Sequence, residues 1–340
     1  MLMVVSIHLS QILGNGNPTS QYLSPYSKDV LDFGSRGVQV FFVLSAIALC
    51  RSYSKKVSKR KTSYFIRRFF RIYPVWFIAV IIHAILEDKV QNIPQNLTFA
   101  FGWLRQYSNN PEIVGGSWTL FVELIFYLAF PFVYPLVRHR KLLVILTGVM
   151  VLTRILWLEF AEEIFAVEDT NSFIGLFPLS NLYCFLLGLL IHSLVEDKFL
   201  FRSSTTINIF IFILLLATIV TNQNPIFQVL LLSFLIYSYL SEPSQAPGII
   251  PSKIRSLIES FGKYAFTIYL YHLLVLAKAS KFLNGITQDL PYIEIRLFIA
   301  TPITFISIYL IGKFGYYTVE ETSIGAGKRL MKYFFTPNGK

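Results

Sequence analysis

Three kinds of side chain in this sequence could carry chemistry. The first is a run of cations at 51–71, RSYSKKVSKRKTSYFIRRFFR, with nine Lys or Arg and no acid. Within it Arg67, Arg68 and Arg71 stand at i, i+1 and i+4, so two of them share a face in a helix. Planar guanidinium groups gathered in this way suit bidentate phosphate binding. A basic run between apolar segments also marks the inner edge of a membrane, and the two readings are compatible. The second kind is imidazole. His8 lies in the apolar run 1–13 with no charged neighbour in sequence. It reads either as a helix–helix hydrogen bond or as a general base, because imidazole titrates near neutral pH. His272, in Tyr269-Leu270-Tyr271-His272, is equally open to a packing role. The third kind is a carboxylate. Glu123 lies in an apolar run with Tyr127 one turn on and Trp118 at its mouth. A buried carboxylate must be paired or protonated, and Arg154 or Arg36 is the expected partner. His83 and His192 fall near the ends of apolar runs, where a ring can reach toward the interface.

The elements that must hold these groups follow from composition. The chain has 340 residues, 54% hydrophobic and 14% charged, with mean hydropathy +0.57. A soluble domain carries about 25% charged residues. Aromatic content is 16%, with 32 Phe and 19 Tyr, which suits faces turned to lipid and interface. The reading is an all-α integral membrane protein in a lipid bilayer. A net charge of +11 could suggest nucleic acid, but its distribution argues against that partner. With spans assigned as below, 22 of the 30 basic residues fall on one side and only Lys28, Arg36, Lys89 and Arg105 in loops on the other. That asymmetry is an orientation signal. Cys50 and Cys184 lie in separate apolar runs and make neither a disulfide framework nor a metal set.

About ten transmembrane helices are expected in one bundle. Residues 1–13 are too short for a full span of about 20 residues, and they lack the basic region and cleavage site of a signal peptide. They read as the outer part of a truncated first helix. Further helices are expected near 37–53, 72–86, 118–137, 142–158, 174–195, 206–220, 225–240, 263–283 and 295–317. Pro74 falls in the first turn of the third, where proline is tolerated, and Ser117 is placed to cap the fourth. The apolar piece 97–104 is expected along the membrane interface. Both ends then lie on the basic, cytoplasmic side. Residues 1–317 form the membrane domain and 318–340 a basic cytoplasmic tail.

Taken in order, these pieces resemble the acyltransferase 3 family of multi-span membrane O-acyltransferases. The resemblance rests on five stretches spread over nearly the whole chain: His8 in the first helix; Gly37-Val38-Gln39-Val40-Phe41-Phe42-Val43-Leu44-Ser45 in the second; Arg67-Arg68-Phe69-Phe70-Arg71-Ile72-Tyr73-Pro74 before the third; Ser117 through Tyr127 in the fourth; and Tyr269-Leu270-Tyr271-His272 in the ninth. It implies transfer of an acyl group, most often acetyl, from cytoplasmic acyl-CoA to a hydroxyl of a cell-surface glycan or similar acceptor at the inner (plasma) membrane. Acyl-CoA is then a donor substrate, and no cofactor is held permanently. By this likeness His8 is the catalytic base and Arg67, Arg68 and Arg71 take the CoA phosphates. Ser117, Trp118, Glu123 and Tyr127 line or brace the acceptor side, with Tyr269 and His272 in the same pocket. Three departures stand out. The family's Arg ahead of the first-helix His would fall before Met1. Ser45-Ala46 replaces Ser-Gly, and Glu320-Glu321-Thr322 replaces Glu-x-Pro. A transporter or glycan flippase is the rival reading, but it would show inverted repeats with broken helices at matching positions, and the sequence has no such pairing. A non-catalytic relative that binds acyl-CoA is a third.

Overall fold

Apolar runs of this length satisfy their backbone in a bilayer only as helices or closed barrels, and helices are what form. In the computed structural model the described residues are 2–13, 25–54, 61–103, 112–165, 175–196, 205–221, 224–241, 251–287, 289–290 and 292–335. Among them there is no strand. The cations of 55–60, the acids Glu168 and Asp169, the turn at Lys198 and Arg202, and 336–340 fall outside these residues.

The first helices are α1 (Leu2–Leu13), α2 (Pro25–Phe33), α3 (Arg36–Ser54), α4 (Lys61–Leu86), α5 (Ile93–Leu97), α6 (Trp118–Val133) and α7 (Arg140–Phe165). Then come α8 (Leu182–Glu196), α9 (Thr205–Val220), α10 (Pro225–Ser241), α11 (Ser252–Lys263), α12 (Ala265–Thr287), α13 (Ile293–Gly315) and α14 (Glu321–Phe335). Six stretches are long and apolar enough to cross a membrane: Asp29–Ser54, Lys61–Leu86, Trp118–Arg138, Arg140–Ala161, Ala265–Thr287 and Ile293–Phe334. Four shorter apolar helices, Met3–Leu13, Leu182–Glu196, Thr206–Ile219 and Pro225–Ser241, complete a multi-pass membrane bundle. Each apolar segment expected from the sequence has its helix.

Two packed clusters position the site. The larger joins α3, α4, α6 and α8 around Phe42, Trp76, Phe130, Tyr183 and Phe185. Its rings interlock, with Phe185 4.8 Å from Phe42 and 4.0 Å from Phe126. Gly188 sets the spacing between α3 and α8. A Cβ there would lie 2.4 Å from the Val43 carbonyl oxygen and 2.6 Å from Ala46 Cβ, so only a residue without a side chain lets the helices meet. The second cluster holds α1 against α12 and α13 through Val5, Leu9, Leu13, Ile268, Leu276 and Leu283. By contrast, α7 turns Val144, Ile145, Leu152 and Ile155 outward, as a lipid-facing helix should.

Three expectations are corrected. Helix α4 starts at Lys61, not near Ile72, and so carries the three arginines itself with Pro74 in its interior. Its early turns are stabilised from outside, because α14 lies along them. Met331 sulfur is 3.7 Å from Ser63 Oγ, and the Ser323 hydroxyl donates to the Phe70 carbonyl. Residues 318–335 are accordingly no free extension. A π turn, Tyr316–Glu320, joins α13 to α14. Lastly, the apolar piece after α4 does not lie on the surface throughout, since it turns Phe99, Phe101 and Gly102 into the bundle while Trp103 stays outside. Phe101 and Gly102 are buried, Phe99 stacks on Trp76 at 5.1 Å, and the Trp76 indole donates to the Asn96 carbonyl at 3.2 Å. Asn96 ties this piece to the loop before α6. The Asn96 side chain donates to Asn92 O and accepts from Ile113 N–H.

Candidate active site

Packing of α1 on α12 brings His8 against His272, with ring centroids 5.6 Å apart. His272 is buried, and its Nδ1 lies 2.7 Å from the Tyr269 carbonyl oxygen. A carbonyl only accepts, so Nδ1 carries the hydrogen and Nε2 keeps its lone pair. That Nε2 is buried without a partner among the described residues. His8 is half-buried, and its Nδ1 is 3.1 Å from Gln11 Oε1. With that oxygen accepting, His8 also presents a bare Nε2, the state a general base requires. The two imidazoles are thus presented as acceptors by their own helices.

Below them, Tyr269 fastens α12 to the mouth of α6. Its hydroxyl donates to the Gly116 carbonyl at 2.6 Å and accepts from Thr119 Oγ1 at 2.7 Å. Gly116 has φ +77°, a conformation that glycine adopts without strain. Ser117 does not cap α6 with its own side chain. Instead its hydroxyl and the Trp118 N–H both reach Glu112 Oε1, each at 2.7 Å. A carboxylate at that position satisfies an orphan amide and the positive end of the helix.

Glu123 is the centre of a second polar knot. Ser45 Oγ donates to its Oε1 at 2.5 Å, and the Tyr127 hydroxyl reaches the same oxygen. Ser45 and Tyr127 are themselves 3.0 Å apart. The expected ion pair to Arg154 or Arg36 is absent among the described residues. Arg154 donates to the Ser180 carbonyl and Arg36 to Gln228 Oε1. Hydroxyls from α3 and from one turn along α6 take the place of the cation. Tyr127 connects this knot to the arginines. Arg68 lies 5.2 Å from the Tyr127 ring and 5.8 Å from the Tyr64 ring, and the Tyr64 hydroxyl donates to the Tyr127 carbonyl at 3.1 Å. Arg67 turns toward α14, donating to Ser63 Oγ at 2.5 Å beside Met331. Arg71 is exposed, within electrostatic reach of Glu123 and of Glu320.

The pattern of the Acyl_transf_3 family, an acyltransferase domain, matches residues 1–312. The chain belongs to the acyltransferase 3 family. Among similar proteins, Acyltransferase MdmB of Streptomyces mycarofaciens is 34% identical over 124 residues, 32% of this chain and 30% of that protein. Nodulation protein 10 of Rhizobium leguminosarum bv. viciae is 26% identical over 279 residues, 72% of either chain. This chain therefore spans less than a third of the Streptomyces protein. No solved structure matches it.

For this acyltransferase 3 family member, the residues expected from sequence fall into two connected groups. His8, His272, Tyr269, Ser117 and Trp118 gather around the α6 mouth. Glu123 and Tyr127 are continuous with Arg68, so they adjoin the arginine-rich end. Ser45, Tyr64 and Glu112 complete the site but were not expected in it. Ser45 stood inside the second-helix stretch, and nothing local marked Glu112. His83 and His192 are buried rather than reaching to the interface.

Proposed function

We propose that this chain transfers an acyl group from acyl-CoA to a hydroxyl of a glycan or similar acceptor, using the arginine-rich end for the donor. Family membership supplies the reaction class. The observation that carries the site assignment is the packing of His8 against His272 beside Tyr269, at the mouth of the same helix whose Tyr127 adjoins Arg68. Arg67, Arg68 and Arg71 hold the donor's phosphates, at the cytoplasmic face if Lys and Arg follow their usual bias. The acceptor comes from the opposite side. Its O–H proton passes to His8 Nε2, its oxygen attacks the thioester carbon, and the C–S bond breaks. The proton then leaves with the thiolate as free CoA thiol. His272 Nε2 accepts from a second, neighbouring hydroxyl of the acceptor and so orients the attacking one. Acetyl is the acyl group we assign.

The test is release of CoA thiol from acetyl-CoA by the purified protein in lipid, with and without glycan extract. His8→Ala should lower acceptor-dependent release by about 100-fold or more. The combined Arg67→Ala, Arg68→Ala, Arg71→Ala variant should need more acetyl-CoA at nearly the same limiting rate. No release together with no measurable CoA binding would overturn the proposal.

A further inference from the structure

Away from the arginine-rich end, the bundle holds two arginines that the reaction above does not use. Arg36 opens α3 and Arg154 lies within α7, and no ion pair is made by either among the described residues. Arg154 is 7% exposed, donates from Nη1 to the Ser180 carbonyl, and leaves Nε buried without a partner. Its guanidinium is 5.7 Å from the Tyr183 ring. The buried Tyr183 hydroxyl has no oxygen or nitrogen partner, and only the weakly accepting Cys184 sulfur is near. Arg36 spends Nε on Gln228 Oε1 at 3.0 Å, and Gln228 is fixed in turn by donating to the Thr218 carbonyl at 3.1 Å. Arg36, Arg154 and Tyr183 lie within electrostatic reach of one another. Among the described residues the acid within reach of Arg36 is Asp32, which is exposed and not ion-paired to it.

Two cations gathered in a membrane bundle without an ion-paired acid among the described residues are costly, and such residues by default mark a ligand path. Their location says which path. Arg36 is roughly 25 Å along α3 from Tyr53, from the helical rise of about 1.5 Å per residue, and Tyr53 packs on Tyr64 beneath Arg68, so Arg36 is far from the donor arginines. It adjoins the helix that carries His8. Cβ atoms built on Gly34 and Gly37 would lie 3.2 Å from Ile7 Cδ1 and 3.3 Å from Val4 Cγ2.

We propose that Arg36 and Arg154, with the Tyr183 hydroxyl, form an anion site for a carboxylate or phosphate carried by the acceptor, which makes the acceptor an anionic glycan. The acceptor role rests on the acyl-transfer reading, whereas anion binding does not. The experiment uses the full chain in neutral phosphatidylcholine nanodiscs, titrated with glucuronate, inorganic phosphate and uncharged glucose. Acetyl-CoA binding and thiol release are followed on the same samples. Glucuronate or phosphate should bind and glucose should not. Arg154→Gln and Arg36→Gln should each weaken anion binding about tenfold or more, as expected for a lost hydrogen bond to a charged group. Tyr183→Phe, which preserves packing, should weaken it a few-fold, and all three should keep acetyl-CoA binding. Binding that is absent for both anions, or unchanged in all three variants, overturns the site. Stabilisation by phosphatidylglycerol nanodiscs alone overturns the acceptor assignment in favour of a lipid headgroup. Anion binding lost in the arginine variants, in a protein that never releases thiol, would keep the site and sink the acyl-transfer reading.

Discussion

Two hydroxyls converge on one oxygen of Glu123, and the consequences can be measured at single residues. Glu123→Leu removes the acceptor that Ser45 and Tyr127 share, so that at most one of the two hydroxyls still finds a partner, in the other, at a cost of roughly 1–3 kcal/mol. A lower melting temperature of the purified protein is expected, with a smaller fall in Tyr127→Phe. Arg68 is a different case, because it lies over two tyrosine rings and is one of the groups we propose for the donor's phosphates. Arg68→Ala should raise the KM for acetyl-CoA about tenfold, and Arg68→Lys should restore little of it, since an ammonium replaces neither the stacking nor the forked donors. Initial rates across acetyl-CoA concentrations check both. Much of this was legible in the sequence. Glu123 and Tyr127 stand one helical turn apart, and His8, Arg68 and His272 sit in stretches that resemble family motifs. The partner of Glu123 was not legible, because Ser45 comes from a helix 78 residues away. A hydroxyl also gives no signal that distinguishes it from any other small residue in an apolar run. Glu112 was hidden for a related reason, since its role exists only once the loop folds back onto α6.

At the scale of elements, close contact is governed by what is missing from side chains. Gly188→Val would drive a Cβ into the Val43 carbonyl and separate α3 from α8, displacing Ser45 from Glu123. Overpacking of this kind costs typically 1–3 kcal/mol. Reduced folded yield and a lower melting temperature on size-exclusion chromatography are expected, while Gly148→Ala, on the outer face of α7 with nothing within 4 Å of an added Cβ, should be neutral. Sequence reading anticipated the six helices long and apolar enough to cross a membrane and the four shorter apolar ones among the described residues, because long apolar runs without strand-like alternation satisfy their backbone in a bilayer as helices. It misplaced the start of α4 because a dense run of cations looks like a solvated loop. Only the packing of α14, contributed from the far end of the chain, shows why those turns stay helical.

At the scale of the whole molecule, the last helix returns to brace the first arginines. Gly327→Leu would push against Phe70, whose Cβ is already 2.7 Å from where a Cβ at 327 would sit. Donor KM should rise while anion binding at Arg36 and Arg154 stays unchanged, a separation that shows the two ends of the bundle to be independent. The all-α multi-pass membrane architecture was legible from hydropathy, but this long-range bracing was not. The buried non-helical segment before α6 carries a further consequence, for biosynthesis. The Gly116 carbonyl waits for a hydroxyl 153 residues downstream, which a ribosome working at about 5–20 residues per second delivers roughly 8–30 s later. During that interval the segment has no finished interior to enter, so it must wait in water or under a chaperone's protection. A ribosome-arrested chain ending before Tyr269 should leave a cysteine introduced at Val114 open to a water-soluble maleimide, and the completed chain should close it.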